Sequence, residues 1–156
     1  MLRIVVMVWE TLTYPILTLI KPARVGVACL VVDAEDRVLM VRQTYRNGWH
    51  LPGGGVNRRE CLPDGAIRET WEETGVVIDG PLDLWGVYTN IGPRYTDHIA
   101  VYLARQWHRV PKKSFEIAET AFFPLDALPD GIPKGIRYRL EELAGRRPRT
   151  HWWARD

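Results

Sequence analysis

Four glutamates stand at fixed intervals in the run GGVNRRECLPDGAIRETWEETGV, which extends from Gly54 to Val76: Glu60, Glu69, Glu72 and Glu73. Carboxylate oxygens spaced this closely suit a hard divalent cation, and Mg²⁺ ordinarily takes one or two carboxylates, several waters and the phosphate oxygens of a substrate. Glu69 is three and four residues from Glu72 and Glu73, where like charges each destabilise a bare helix by about 0.2–0.5 kcal/mol. A bound cation would offset that repulsion. The plain alternative is a solvated acidic face, the usual setting of glutamate, and spacing alone leaves both readings open.

A helix must position these groups. Pro63 and Asp64 fit a helix start with Asp64 as the capping side chain, and Gly75 fits the left-handed residue that ends one, so a helix is expected over about residues 64–74. At about 100° per residue, Ala66, Ile67, Thr70, Trp71 and Thr74 gather on one side. Glu69, Glu72 and Glu73 gather on the other. One face is expected to be core and the other acidic.

Five residues separate Gly54 from Glu60, seven more precede Arg68-Glu69, and Glu72, Glu73 and Gly75 follow. This arrangement resembles the signature of the Nudix hydrolases at every charged and glycine position. Thr70 departs from it, standing where the family usually has an aliphatic residue. The preceding Trp49-His50-Leu51-Pro52-Gly53-Gly54-Gly55 resembles the family's approach to the motif. The resemblance implies an α/β fold, an α/β/α sandwich with a mixed β-sheet between helices. It also implies hydrolysis of a nucleoside diphosphate linked to another moiety: a nucleotide sugar, an ADP-ribose-like compound or a nucleoside triphosphate. By the same resemblance Glu69, Glu72 and Glu73, with the Gly53–Gly54 backbone nearby, would bind Mg²⁺ or Mn²⁺. Glu60 and Arg68 resemble the family's supporting ion pair; the alternative is an ordinary surface pair worth about 0–1 kcal/mol. Glu116 is similar to the family's late acidic residue and is the first choice for general base or extra ligand, with Glu119 second and a solvated glutamate as the alternative for each. The chain offers no obvious Ser/His/Asp or Cys/His nucleophile, which agrees with attack by water. A non-catalytic nucleotide-binding module on the same fold is the competing function, and the repulsive trio Glu69, Glu72 and Glu73 argues against it.

Substrate contacts are less sharply marked. Arg42, Gln43, Tyr45 and Arg46 precede the glycine-rich run and could reach phosphate or base, since arginine offers a planar fork to phosphate oxygens. Tyr88, Tyr95 and His98 are candidates for the opposite wall, with Trp85 or Trp107 stacking on a base; aromatic residues at alternating strand positions are equally a core pattern.

The rest of the chain frames these residues. Its 156 residues, 46% hydrophobic, suffice for one core. We expect a hydrolase domain over residues 23–150, an apolar segment over 1–22 and a tail over 151–156. Val25–Val32 and Val38–Val41 read as paired strands, with further strands near Leu84–Thr89, Ile99–Trp107 and Ala121–Phe123 and a closing helix through Ile136, Leu140 and Leu143. With 21 basic and 19 acidic residues, the net charge of +2 gives no electrostatic case for nucleic-acid binding. Cys29 and Cys61 form no C-x-x-C pair and read as free thiols in a reducing cytoplasm. Ile4–Ile20 is apolar but short and interrupted by Glu10, Thr11, Thr13 and Pro15, a poor membrane span. It is expected to pack on the domain, to contact a second copy in a homodimer, or to lie as a peripheral helix on a membrane.

Overall fold

The computed structural model describes residues 23–93 and 95–155. Among the described residues eight strands and two helices follow in order: β1 (Ala23–Val31), β2 (Arg37–Gln43), β3 (Gly53–Gly55), α1 (Leu62–Thr74), β4 (Val76–Ile78), β5 (Leu82–Ile91), β6 (Thr96–Ala104), β7 (Trp107–Arg109), β8 (Ile117–Pro124) and α2 (Lys134–Leu143). The main sheet has the order β3-β1-β6-β5, with β1 parallel to β6 and the other pairs antiparallel.

Strand alternation divides β1 between two cores. Val27, Cys29 and Val31 point to one face and pack in a cluster with Ala66 of α1, Ala100 and Tyr102. Ala28 and Leu30 point to the other and pack with Ile136 and Leu140 of α2. A run apolar on both faces therefore marks a strand with a helix on each side, the expected sandwich with a mixed sheet.

Three local expectations are corrected. The run 38–41 does not pair with β1 as a hairpin: β2 pairs antiparallel with β8, and only Val32 and Val38 form an isolated bridge. Both edges of β1 are already taken by β3 and β6, so no ladder is left for β2. Asp33 fixes the departure, its carboxylate accepting from the backbone N–H groups of Glu35 and Arg37. In α1 the capping position is Cys61, without a side-chain cap, and Asp64 lies in the first turn. There its charge meets the positive end of the helix dipole. The buried stripe is narrower than the wheel suggested: Ala66, Thr70 and Thr74 are buried, but Ile67 and Trp71 are exposed. Lys112 covers the Trp71 ring with its Nζ 3.0 Å from the centroid. Gly75 ends the helix with φ 72°, its N–H donating to Trp71 O at 2.9 Å.

Residues near the C-terminal end are integrated with the sheet. Thr89 donates to His151 O at 2.8 Å and accepts from Trp153 N at 3.0 Å. Arg139, fully buried, pairs with Glu142 and donates to Trp152 O at 3.3 Å, while Tyr88 Oη donates to Glu142 at 2.8 Å. No helix among the described residues is long and apolar enough to cross a membrane. The expectations for residues 1–22 lie outside the described residues.

Candidate active site

The site forms where α1, the all-glycine β3 and the end of β2 meet. β3 can lie between α1 and β1 only because Gly53 and Gly54 lack side chains: a Cβ on Gly54 would stand 2.7 Å from the Glu69 carboxylate of α1, and one on Gly53 2.2 Å from Val27 O of β1. Gly54→Ala should therefore displace Glu69 while leaving the core intact. We expect turnover to fall at least about 10-fold with Tm within a few degrees of wild type, compared by steady-state kinetics and thermal melts.

Arg68 organises the carboxylates of α1. Its Nε and Nη2 donate to the two oxygens of Glu60 at 2.7 and 2.9 Å, and Nη1 donates to Glu69 at 2.8 Å and Glu72 at 3.2 Å. Nη2 also donates to Gly55 O at 3.0 Å, tying the helix to β3. The Arg68 guanidinium, with the Asn57 N–H, holds the Glu60 carboxyl down at about 2. The arginine is held above its own ordinary value by Glu60 and Glu69. This is a two-pronged, four-group network rather than an isolated surface pair.

Glu73 departs from the expected acidic face. It is turned inward and buried, accepting from Gln43 Nε2 at 2.8 Å and from Gly53 N–H at 2.9 Å. Burial, opposed by those two donors but aided by the charges of Glu69 and Glu116, pushes its carboxyl up to about 7. Among the described residues no three His, Cys, Asp or Glu side chains converge on one point. Like charges separate: Glu69 and Glu72 turn to Arg68, and Glu73 to Gln43 and Gly53. The donor set nevertheless fits a divalent cation. All its members are carboxylate oxygens, only one or two of which Mg²⁺ needs. A cation beside Glu73 would cancel the cost of ionising it.

A cleft of about 730 Å³ opens beside this corner, lined by Gln43, Tyr45, Arg46, His50, Gly53–Gly55 and Tyr95 among others. Glu116 is not among the lining residues; its carbonyl accepts from Thr44 N at 2.8 Å, and its charge raises both Glu73 and Tyr45. Of the residues proposed for substrate, Gln43, Arg46 and Tyr95 line the cleft, and Arg42 does not: it pairs with Glu119 across β2 and β8. Alternation along β2 sends Gln43 inward and Arg42 outward. The same pair occupies Glu119, the second choice for general base. Four aromatic candidates are corrected. Tyr88 is buried beneath the sheet. His98 bonds Thr89 on the opposite face. Trp107 stacks on Phe122 in the core and donates to Val32 O. Trp85 is capped by Arg149, 3.5 Å from its ring.

Sequence reasoning missed a polar row on the cleft floor. Arg24, Asp97 and Asn90 are cross-strand partners in β1, β6 and β5 and all line the cleft. Arg24 also stacks on Tyr95 at 4.3 Å and pairs with Asp97 at 3.6 Å. Their only sequence signal is parallel register across more than 70 positions, which local pattern does not carry.

The NUDIX domain family model matches residues 22–143. The chain belongs to the Nudix family. Its fold is similar to that of a MutT NUDIX hydrolase from Burkholderia pseudomallei, with a TM-score of 0.69 and 26% identity over 78% of this chain and 98% of that one. Among curated proteins, a MutT-like protein of Streptomyces ambofaciens is 41% identical over 66 residues, 42% of each chain. An RNA pyrophosphohydrolase of Psychrobacter cryohalolentis is 29% identical over 92 residues, 58% of this chain and 43% of its own. The match to this Nudix chain thus spans less than half the length of those curated relatives. Thr70, the departure from the signature, is fully buried beside Cys29, whose thiol burial pushes up to about 12.

Proposed function

We propose that this Nudix protein hydrolyses a diphosphate bond in a nucleotide derivative, with water as nucleophile and Mg²⁺ or Mn²⁺ as cofactor. The observation that carries this reading is Glu73: a buried carboxyl, raised to about 7, held against a glycine strand that lines the cleft. A structural role alone would be better served by a neutral side chain, because burying a carboxylate is costly. Glu69, Glu72 and Glu73 would hold the cation. When bound, it supplies neutralisation of phosphate charge and lowers the pKa of a water in its shell.

The chain's own residues do the rest. Gln43 and the Gly53 N–H orient the Glu73 carboxylate, and Arg68 aligns Glu60, Glu69 and Glu72. Arg46, on the cleft wall, meets phosphate oxygens. Glu116, whose charge reaches Glu73 and Tyr45, receives the proton of the attacking water. Tyr95 and the polar row behind it face the non-reacting part of the substrate. Two free cysteines suit a reducing cytoplasm.

The test is a panel of nucleotide sugars, ADP-ribose and nucleoside triphosphates incubated with purified protein and Mg²⁺. At least one is expected to release a nucleoside monophosphate, detected by chromatography. A panel without turnover would refute the proposal.

A further inference from the structure

The face of the main sheet that carries α1 is only partly covered. α1 packs over β1 and β3 and buries Val27, Cys29 and Val31. On the same face, Val25, Leu84, Val87, Ile91 and Trp152 are left 37–56% exposed. Register assigns them to that face. Val87 pairs with Ala100 and Leu84 with Tyr102, both members of the α1-side cluster. Val25 and Ile91 follow by alternation along β1 and β5. Trp152 follows through its parallel bridge to Thr89, which pairs with His98 and through it with Val25. Five large apolar side chains on one strip of sheet mark a surface that is covered by something.

From this strip and the apolar sequence of Ile4–Ile20, we infer that residues 4–20 of this same chain dock on it. Three observations select that occupant. The first is attachment: Ala23, next to the segment, pairs with Thr96, which pairs with Ile91. The tether therefore starts about 10 Å, two strand spacings, from one end of the strip. The second is length. Leu84 to Ile91 spans about 23 Å, and 17 residues reach about 25 Å even if helical and further if extended. The third is composition: residues 4–20 carry a single charge, Glu10. A tethered apolar segment has an effective concentration near the millimolar range, well above that of a second copy in dilute solution.

In the 156-residue chain, Cys61→Ser removes the exposed thiol, and buried Cys29 remains as an inert internal reference. In that background, Val87→Cys is combined in turn with Val6→Cys, Leu12→Cys and Ile16→Cys and oxidised mildly. At least one pair should close as an intramolecular disulfide, giving a species of monomer mass with two thiols lost. Val87→Cys alone should react with maleimide at least 10-fold more slowly than Phe115→Cys, which replaces a fully exposed loop residue. Disulfide-linked dimers without monomeric closure would assign the strip to a second copy and overturn the inference. Equal maleimide rates, or protection of Val87→Cys only when vesicles of anionic phospholipid are added, would overturn it as well.

Discussion

Glu73→Gln should lower kcat by about 10³-fold or more while the protein remains folded. Glu73 sits at the one point where α1, β2 and β3 share a carboxylate, through Gln43 Nε2 and Gly53 N–H. Its charge is what a cation would use, and losing one such group removes charge stabilisation that exists mainly in the transition state. The amide can keep one of the two hydrogen bonds and needs no ionisation in a buried place. Its effect on stability should accordingly run against its effect on rate. In chelator, the wild-type carboxyl titrates at about 7 rather than at its ordinary 4.5 because burial opposes its charge. A carboxyl raised in this way contributes stability that is fully present below pH 4.5 and is lost as pH rises to about 7. The loss amounts to about 3 kcal/mol at most, and Glu73→Gln should not show it. Denaturant titrations of both proteins in chelator at pH 5 and pH 8 read this difference, and parallel pH dependences would contradict it.

Arg68→Ala is the second large effect. One guanidinium serves Glu60, Glu69, Glu72 and Gly55 O, and it is only a quarter exposed. Its removal leaves three carboxylates facing one another and removes the Gly55 tie between β3 and α1. We expect a loss of about 1–3 kcal/mol in stability, and kcat to fall about 10²-fold because Glu69 loses its fixed position. Arg68→Lys should recover little, since an ammonium cannot donate to both oxygens of Glu60 and still reach Glu69. An NMR titration separates this role from mere stabilisation. The Glu60 carboxyl, held at about 2 in wild type, should rise toward the ordinary value in Arg68→Ala. An unmoved Glu60, or a kcat within threefold of wild type, would contradict the assignment.

Much of this site was legible because it is local. Gly54, Glu60, Arg68, Glu69, Glu72, Glu73 and Gly75 fall within one short strand and the loop and helix that follow it, where spacing and helical periodicity decide which groups can meet. The strand over Val25–Val32 and the closing helix through Ile136, Leu140 and Leu143 were likewise legible from local apolar pattern. What escaped depended on pairing between distant segments. The pairing of β2 with β8 in place of β1 decided that Gln43 faces Glu73 while Arg42 goes to Glu119. Nothing within residues 37–43 indicates that neighbour. The inward turn of Glu73 was likewise hidden, because a helical wheel separates polar from apolar and cannot tell a solvated carboxylate from one buried against glycine. The Arg24–Asp97–Asn90 row needed the parallel β1–β6 register, and the aromatic candidates went to the core for the same reason.

These carboxylates are proposed to serve a cation-dependent diphosphate hydrolysis. Its most direct test is the initial rate of nucleoside monophosphate release from the best substrate of the panel, measured with Mg²⁺ and again after chelation. Chelator should abolish wild-type turnover, and Mg²⁺ or Mn²⁺ should restore it in wild type but not in Glu73→Gln. Wild-type turnover unchanged by chelator would contradict it.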